Sequence, residues 1–162
     1  MTENENTELN TNDKANQKII SSDLLCKLKQ QFNLEDVDLR TYNSLTLAFI
    51  GDSVYEILVR SIVVCKGNKS VNALAKDKNA LVNAKAQSQI AEFLKDYYTE
   101  EEAEVYRRGK NAKTANHSKS AAYSEYHRAT GLEAVFGYLY LSGNMDRCIE
   151  LLKIALENNA LG

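Results

Sequence analysis

Two carboxylates stand inside long apolar runs. Asp52 follows Gly51 in LTLAFIGDSVYEILVRSIVVC (45–65), and Glu133 is the one charge in ATGLEAVFGYLYLS (129–142). Taking an ionised carboxylate out of water costs several kcal/mol unless a partner or a metal compensates. Asp52 is therefore expected at the centre of the fold rather than at its rim. Gly51 precedes one acid, and Gly137 lies four residues after the other. Glycine inside a helix costs about 1 kcal/mol relative to alanine, usually in exchange for close approach by another backbone. Two helices crossing at these glycines would bring Asp52 and Glu133 together. Paired carboxylates suit Mg²⁺, which takes hard oxygen ligands and keeps several waters. Such an ion activates water and stabilises charge on a phosphate undergoing in-line displacement. Two hydrogen-bonded acids with a purely structural role remain the alternative reading of this pattern. Glu56 and Arg60 continue the stripe begun by Asp52 at four-residue spacing, either as a solvated ion pair or with Glu56 as a further site acid.

A basic segment gives the acids a possible substrate. Val105–Ser124 carries Arg107, Arg108, Lys110, Lys113 and Lys119 without one acid, accompanied by Asn111, Asn116 and His117. A second group, Lys66, Lys69, Lys76, Lys78 and Lys85, meets only Asp77. Either group alone could be a solvated face. Beside a metal site, binding to a phosphate backbone is the better reading. The aromatics are not interleaved with these bases, so a duplex read by shape and charge fits better than stacked single strands. The net charge of −2 conceals this arrangement: residues 61–128 hold twelve bases against eight acids, while residues 1–60 hold ten acids against six bases. No P-loop, GxGxxG, HExxH or Ser/Cys nucleophile arrangement is present, and neither His117 nor His127 has a metal-ligand partner at helical spacing.

The elements that must position these groups are helical. The chain has 162 residues, no proline and seven glycines, so long helices meet few breakers. Residues 1–18 are polar and read as a disordered tail, residues 19–158 as one all-α domain, and 159–162 as a frayed end. Ser21–Asp23 can cap a helix running to about Gln31. Asn43 or Ser44 can cap the long central helix, which stops near Gly67, and Ser70 a short one. Apolar residues from Leu81 to Tyr97 have helical spacing over 79–97. Thr99 and Glu102 form a capping box for a helix ending at Arg107–Gly109. A basic loop over 109–119, a helix over about 120–141 and an amphipathic helix over 145–158 follow. Cys26, Cys65 and Cys148 have no paired spacing and read as buried thiols of a reducing, cytoplasmic compartment. The charges within 45–65 make that run a poor membrane span.

Together, IGDSVYE (50–56), RRGKNAK (107–113) and YHRATGLEAVFGYLYL (126–141) resemble the ribonuclease III catalytic domain, in particular its reduced bacterial form, Mini-ribonuclease III. The likeness spans about 40–157, which leaves no room after 157 for a double-stranded-RNA-binding domain. It implies a symmetric homodimer that cleaves both strands of double-stranded RNA with Mg²⁺, leaving 5′-phosphate and 3′-hydroxyl ends. Asp52 and Glu133 match the catalytic, metal-binding acids. Arg107, Arg108, Lys110, Asn111 and Lys113 match a basic loop that engages RNA. The reduced branch is associated with maturation of the 23S ribosomal RNA precursor, in which a ribosomal protein or particle could present the substrate. Ala48 and Thr130 stand where full-length enzymes carry two further acids, which leaves the number of ions open. A dimeric module that binds structured RNA without cutting it is the alternative.

Overall fold

The computed structural model describes residues 24–113 and 120–158. The tail over 1–18, the cap residues Ser21–Asp23, Asn116, His117 and Lys119 of the basic segment and the end over 159–162 lie outside them. The chain divides at Val37/Asp38 into two units. In the first, α1 (Leu24–Phe32) stops at Asn33, whose positive φ of 51° is a left-handed conformation that asparagine tolerates. The Leu34 N–H then returns to the Lys29 carbonyl at 3.0 Å, and the Lys29 ammonium pairs with Asp36.

The second unit is built around α6 (Ala121–Leu141), with α2 (Ser44–Cys65), α4 (Ala84–Leu94), α5 (Glu100–Lys110) and α7 (Met145–Glu157) packed on it. The helix α3 (Val71–Val82) lies against α2 and α4. Among the described residues there is no strand. A helix surrounded on most sides must be apolar on most sides. That is why Ala129–Leu141 shows so little amphipathic pattern. Tyr55 of α2 and Phe136 of α6 meet edge to face at 5.4 Å in the core, with Leu47, Val59, Ile90, Leu94, Leu132 and Leu151 fully buried around them.

Each start signal in this unit does its expected work. Asn43 caps α2, Ser70 caps α3, and Thr99 with Glu102 completes a capping box on α5. Gly143, at φ 76°, ends α6, and the Asn144 N–H bonds back to the Leu139 carbonyl at 2.8 Å. One expectation fails: residues 79–97 are not one helix. The chain turns at Asn83, in an extended conformation with ψ 156°. Its side-chain oxygen accepts from the Ala86 N–H at 2.9 Å, and its amide nitrogen donates to the Asn79 carbonyl at 2.7 Å. One side chain thus closes α3 and opens α4. Apolar spacing runs smoothly across such a junction and hides it.

The thiols also depart from expectation. Cys148 is buried, but Cys26 and Cys65 are exposed. No described helix is long and apolar enough to cross a membrane.

Candidate active site

The two glycines make the crossing that the site requires. A Cβ on Gly51 would overlap the Glu133 carbonyl oxygen and lie 2.7 Å from the Gly137 nitrogen. A Cβ on Gly137 would overlap the Leu47 carbonyl oxygen and lie 3.1 Å from the Gly51 nitrogen. Backbone meets backbone at both positions, so only glycine fits. Asp52 directly follows Gly51, and Glu133 supplies the backbone that Gly51 meets.

Their environments differ, and here the expectation for Asp52 is corrected. Asp52 is exposed, whereas Glu133 is only partly accessible. Gly51 occupies the buried crossing, and the 100° step per residue swings Asp52 out to the margin. The burial cost therefore falls on Glu133. Burial foremost, and then the charge of Asp52, raise its pKa from the usual 4.5 to about 7. Tyr55, one turn along α2, is pushed up in the same direction by burial and by Glu133, and its hydroxyl donates to the Leu81 carbonyl at 2.9 Å.

Glu56 is held elsewhere. Its carboxylate accepts from Arg60 Nε at 2.7 Å and pairs with Lys78 at 3.4 Å, which keeps its pKa below the ordinary range. The solvated ion-pair reading of Glu56 and Arg60 describes it. Ala48 and Thr130 are both buried, and the Thr130 hydroxyl donates to the Tyr126 carbonyl at 3.0 Å.

Among the described residues, no three His, Cys, Asp or Glu side chains gather as a metal cage. Two carboxylates, one open to solvent and one raised in pKa by burial and then by its neighbour's charge, still fit a divalent cation that retains water. Asp52 and Glu133 would hold such an ion, whose positive charge would offset both the burial of ionised Glu133 and its repulsion from Asp52.

Sequence reasoning overlooked Gln87. It is 3% exposed on the face of α4 that also buries Ala86, Ile90, Ala91 and Leu94. Its amide lies beside Glu133 and acts to lower that group's pKa. A polar residue at the spacing of a buried face was the available signal, but the Asn83 junction obscured which face that was.

The basic residues are sorted by the end of α5. Gly109 seats this end on α6, where an added Cβ would lie 2.8 Å from Ala134 Cβ and 3.2 Å from the Thr130 carbonyl oxygen, on either side of Glu133 in sequence. Arg107 and Lys110 therefore belong to the last helical turn and Asn111 is its cap, rather than all standing in a loop. Arg107, Asn111 and Lys113 are exposed. Arg107 reaches back to Glu104 at 2.7 and 2.8 Å. Arg108 is different, because its guanidinium donates to the Tyr42 carbonyl at 2.9 Å and ties α5 to the approach to α2. The Lys110 carbonyl accepts from His127 Nδ1 at 2.9 Å, which fastens the end of α5 to α6.

Comparison with known proteins gives one answer. A sequence model of the Ribonuclease III domain matches residues 45–144. The Mini-ribonuclease 3 of Clostridium tetani is 41% identical over 121 residues, covering 74% of this chain and 80% of that protein. The Mini-ribonuclease 3 of Brevibacillus brevis is 42% identical over 113 residues, covering 70% and 84%. A crystal structure of a Fusobacterium nucleatum protein superposes with a TM-score of 0.65 at 33% identity, covering 75% of this chain and 97% of that one.

Proposed function

The chain belongs to the ribonuclease III family, in its Mini-ribonuclease 3 branch, and from that premise we propose that this endoribonuclease cuts double-stranded RNA at a Mg²⁺ site held by Asp52 and Glu133. The observation that supports the site assignment is the Gly51–Gly137 crossing, beside which Glu133 has its pKa raised by burial first and then by the charge of Asp52. When bound, the ion supplies a Lewis acid that activates water and offsets charge on the phosphate. Asp52, exposed, is the ligand open to an arriving substrate. Glu133 must lose its proton to serve, and its raised pKa makes ion binding and proton release one coupled event.

The exposed Arg107, Asn111 and Lys113, with Lys110 beside them, meet the RNA backbone in this reading. Arg108 contributes by holding α5 in place. A homodimer is supported by the outer side of α2, where Phe49, Ile57 and Val64 are 82%, 57% and 56% exposed at spacings that put them on one stripe. A second copy covers that stripe, and each protomer cuts one strand to leave 5′-phosphate and 3′-hydroxyl ends. The catalytic domain extends over 19–158. Maturation of the 23S ribosomal RNA precursor, with a ribosomal protein or particle presenting it, is the biological role we assign, supported by the relatives' branch of the family.

Incubation of duplex RNA with Mg²⁺ and with Asp52→Asn or Glu133→Gln tests the site. Each variant should bind duplex RNA yet lose cleavage by about a hundredfold or more. Wild-type cleavage rates in either variant would refute the proposed metal role.

A further inference from the structure

Gln87 is the most costly side chain near the acids that the reaction has not yet used. It is 3% exposed, and its Nε2 makes no hydrogen bond of good geometry among the described residues. An amide left unpaired in the interior costs about 1–3 kcal/mol, and methionine or leucine would fill the same space without that penalty. The helix carrying Gln87 packs along α6, and Glu133 there is the carboxyl whose proton affinity the Gln87 amide lowers.

Its placement is built rather than incidental. Tyr55, three residues after Asp52, donates its hydroxyl to the Leu81 carbonyl and so fixes the end of α3. Asn83 then turns the chain and caps α4. Gln87 follows four residues later, on the first full turn. The helix carrying Asp52 therefore sets the start of the helix carrying Gln87, and both face α6 beside Glu133.

Resting on the reading of Asp52 and Glu133 as the ion's ligands, we propose that Gln87 is a positioning residue, whose side-chain amide donates to the Glu133 carboxylate and holds it in the orientation in which it takes the divalent ion with Asp52. Groups behind a metal ligand commonly set affinity in this way, and removing one costs about 10- to 100-fold. The amide makes no contact with RNA in this role.

Gln87→Met keeps the volume and removes the donor, and Gln87→Leu is the second variant. Mn²⁺ binding is measured by isothermal titration on the full chain without RNA, alongside thermal melting and steady-state cleavage in Mg²⁺. In both variants Mn²⁺ should bind at least about tenfold more weakly. The kcat at low Mg²⁺ should fall and recover as Mg²⁺ is raised, with KM for duplex RNA unchanged. Melting temperature should hold, because methionine or leucine fills the same space and takes a polar group out of the interior. Mn²⁺ affinity within about twofold of wild type, scored per folded molecule by circular dichroism, would overturn the proposal, as would a fall in melting temperature without a loss of affinity. Glu133→Gln separates the two levels. If it loses Mn²⁺ affinity while Gln87→Met does not, Gln87 alone is refuted; if it binds Mn²⁺ as the wild type does, the ligand assignment falls and Gln87 with it.

Discussion

Gly51→Ala adds one methyl group at the point on which the site depends. On an isolated helix this change would be favourable by about 1 kcal/mol. Here the new Cβ overlaps the Glu133 carbonyl oxygen and lies 2.6 Å from the Glu133 carbonyl carbon and 2.7 Å from the Gly137 nitrogen, whereas ordinary contact begins at 3.4 Å. All three atoms are backbone inside a helix, so none can rotate away. Relieving the oxygen contact requires the helices to separate by more than about 1 Å at the crossing, and a gap of about 0.5–1 Å already forfeits a quarter to a half of the dispersion attraction between the atoms on either side. The pair that separates, α2 and α6, is the most extensive in the fold and carries Leu47, Tyr55, Leu132 and Phe136. Overpacking of a core usually costs about 1–3 kcal/mol, and the rigid backbone on both sides puts this case at the upper end, about 3 kcal/mol net of the propensity gain. Urea unfolding followed by far-ultraviolet circular dichroism reads the loss as a lower midpoint. Cleavage per folded molecule should fall further, by about a hundredfold, since a 1 Å misplacement of ligands is enough for that. A variant with the wild-type midpoint and wild-type cleavage would refute the crossing as the device that joins Asp52 to Glu133. Gly131→Ala is the milder comparison: its Cβ would lie 2.7 Å from the Tyr106 ring and 3.0 Å from the Tyr106 carbonyl oxygen, with no overlap of backbone.

The Glu133 pKa gives a stability signature in the metal-free protein. Between about pH 4.5 and about 7 the folded chain keeps a proton on Glu133 that the unfolded chain releases, so stability falls as pH rises through that window, by at most about 3 kcal/mol. Urea midpoints from about pH 5 to about pH 8 should decline, Glu133→Gln should flatten the decline, and Mg²⁺ should restore stability at the upper end; a flat wild-type profile would count against a shared site. A second prediction concerns Arg147, which donates from Nε and Nη2 to Glu102 at 2.9 and 3.1 Å and from Nη2 to the Tyr97 carbonyl at 2.8 Å. Arg147→Met strands a carboxylate that is 4% exposed and should cost about 3–5 kcal/mol by thermal melting, with partial recovery on adding Glu102→Gln. Charge reversal at exposed Arg107 or Lys113 should leave melting within about 0.5 kcal/mol and reduce the salt dependence of RNA binding by about one counterion each. Arg108→Glu should instead lower stability, because it removes the donor held by the Tyr42 carbonyl; equal behaviour of all three would refute the division.

Local signals settled much of this protein in advance. Helix starts were legible because a cap is a short-range hydrogen bond between neighbours in sequence: Asn43, Ser70 and the Thr99–Glu102 box all act as their types dictate. The crossing at Gly51 and Gly137 was legible for a related reason, since one glycine precedes Asp52, the other lies one turn after Glu133, and neither helix could otherwise tolerate its glycine cheaply. Other features depend on direction in space, which no local pattern encodes. Whether Asp52 or Glu133 bears the burial was decided by how α2 rotates at its contact with α6. Whether Arg107 and Arg108 do the same work was decided by which of them finds the Tyr42 carbonyl. Asn83 divides a continuous apolar pattern because its side chain caps two helices at once, and that junction sets the face of α4 that buries Gln87. The sequence alone determined the all-α class and marked Asp52 and Glu133 as candidates; the packing of α2, α4 and α5 on α6 decided how deeply each is buried and which polar groups lie near, because that choice rests on contacts between residues far apart in the chain.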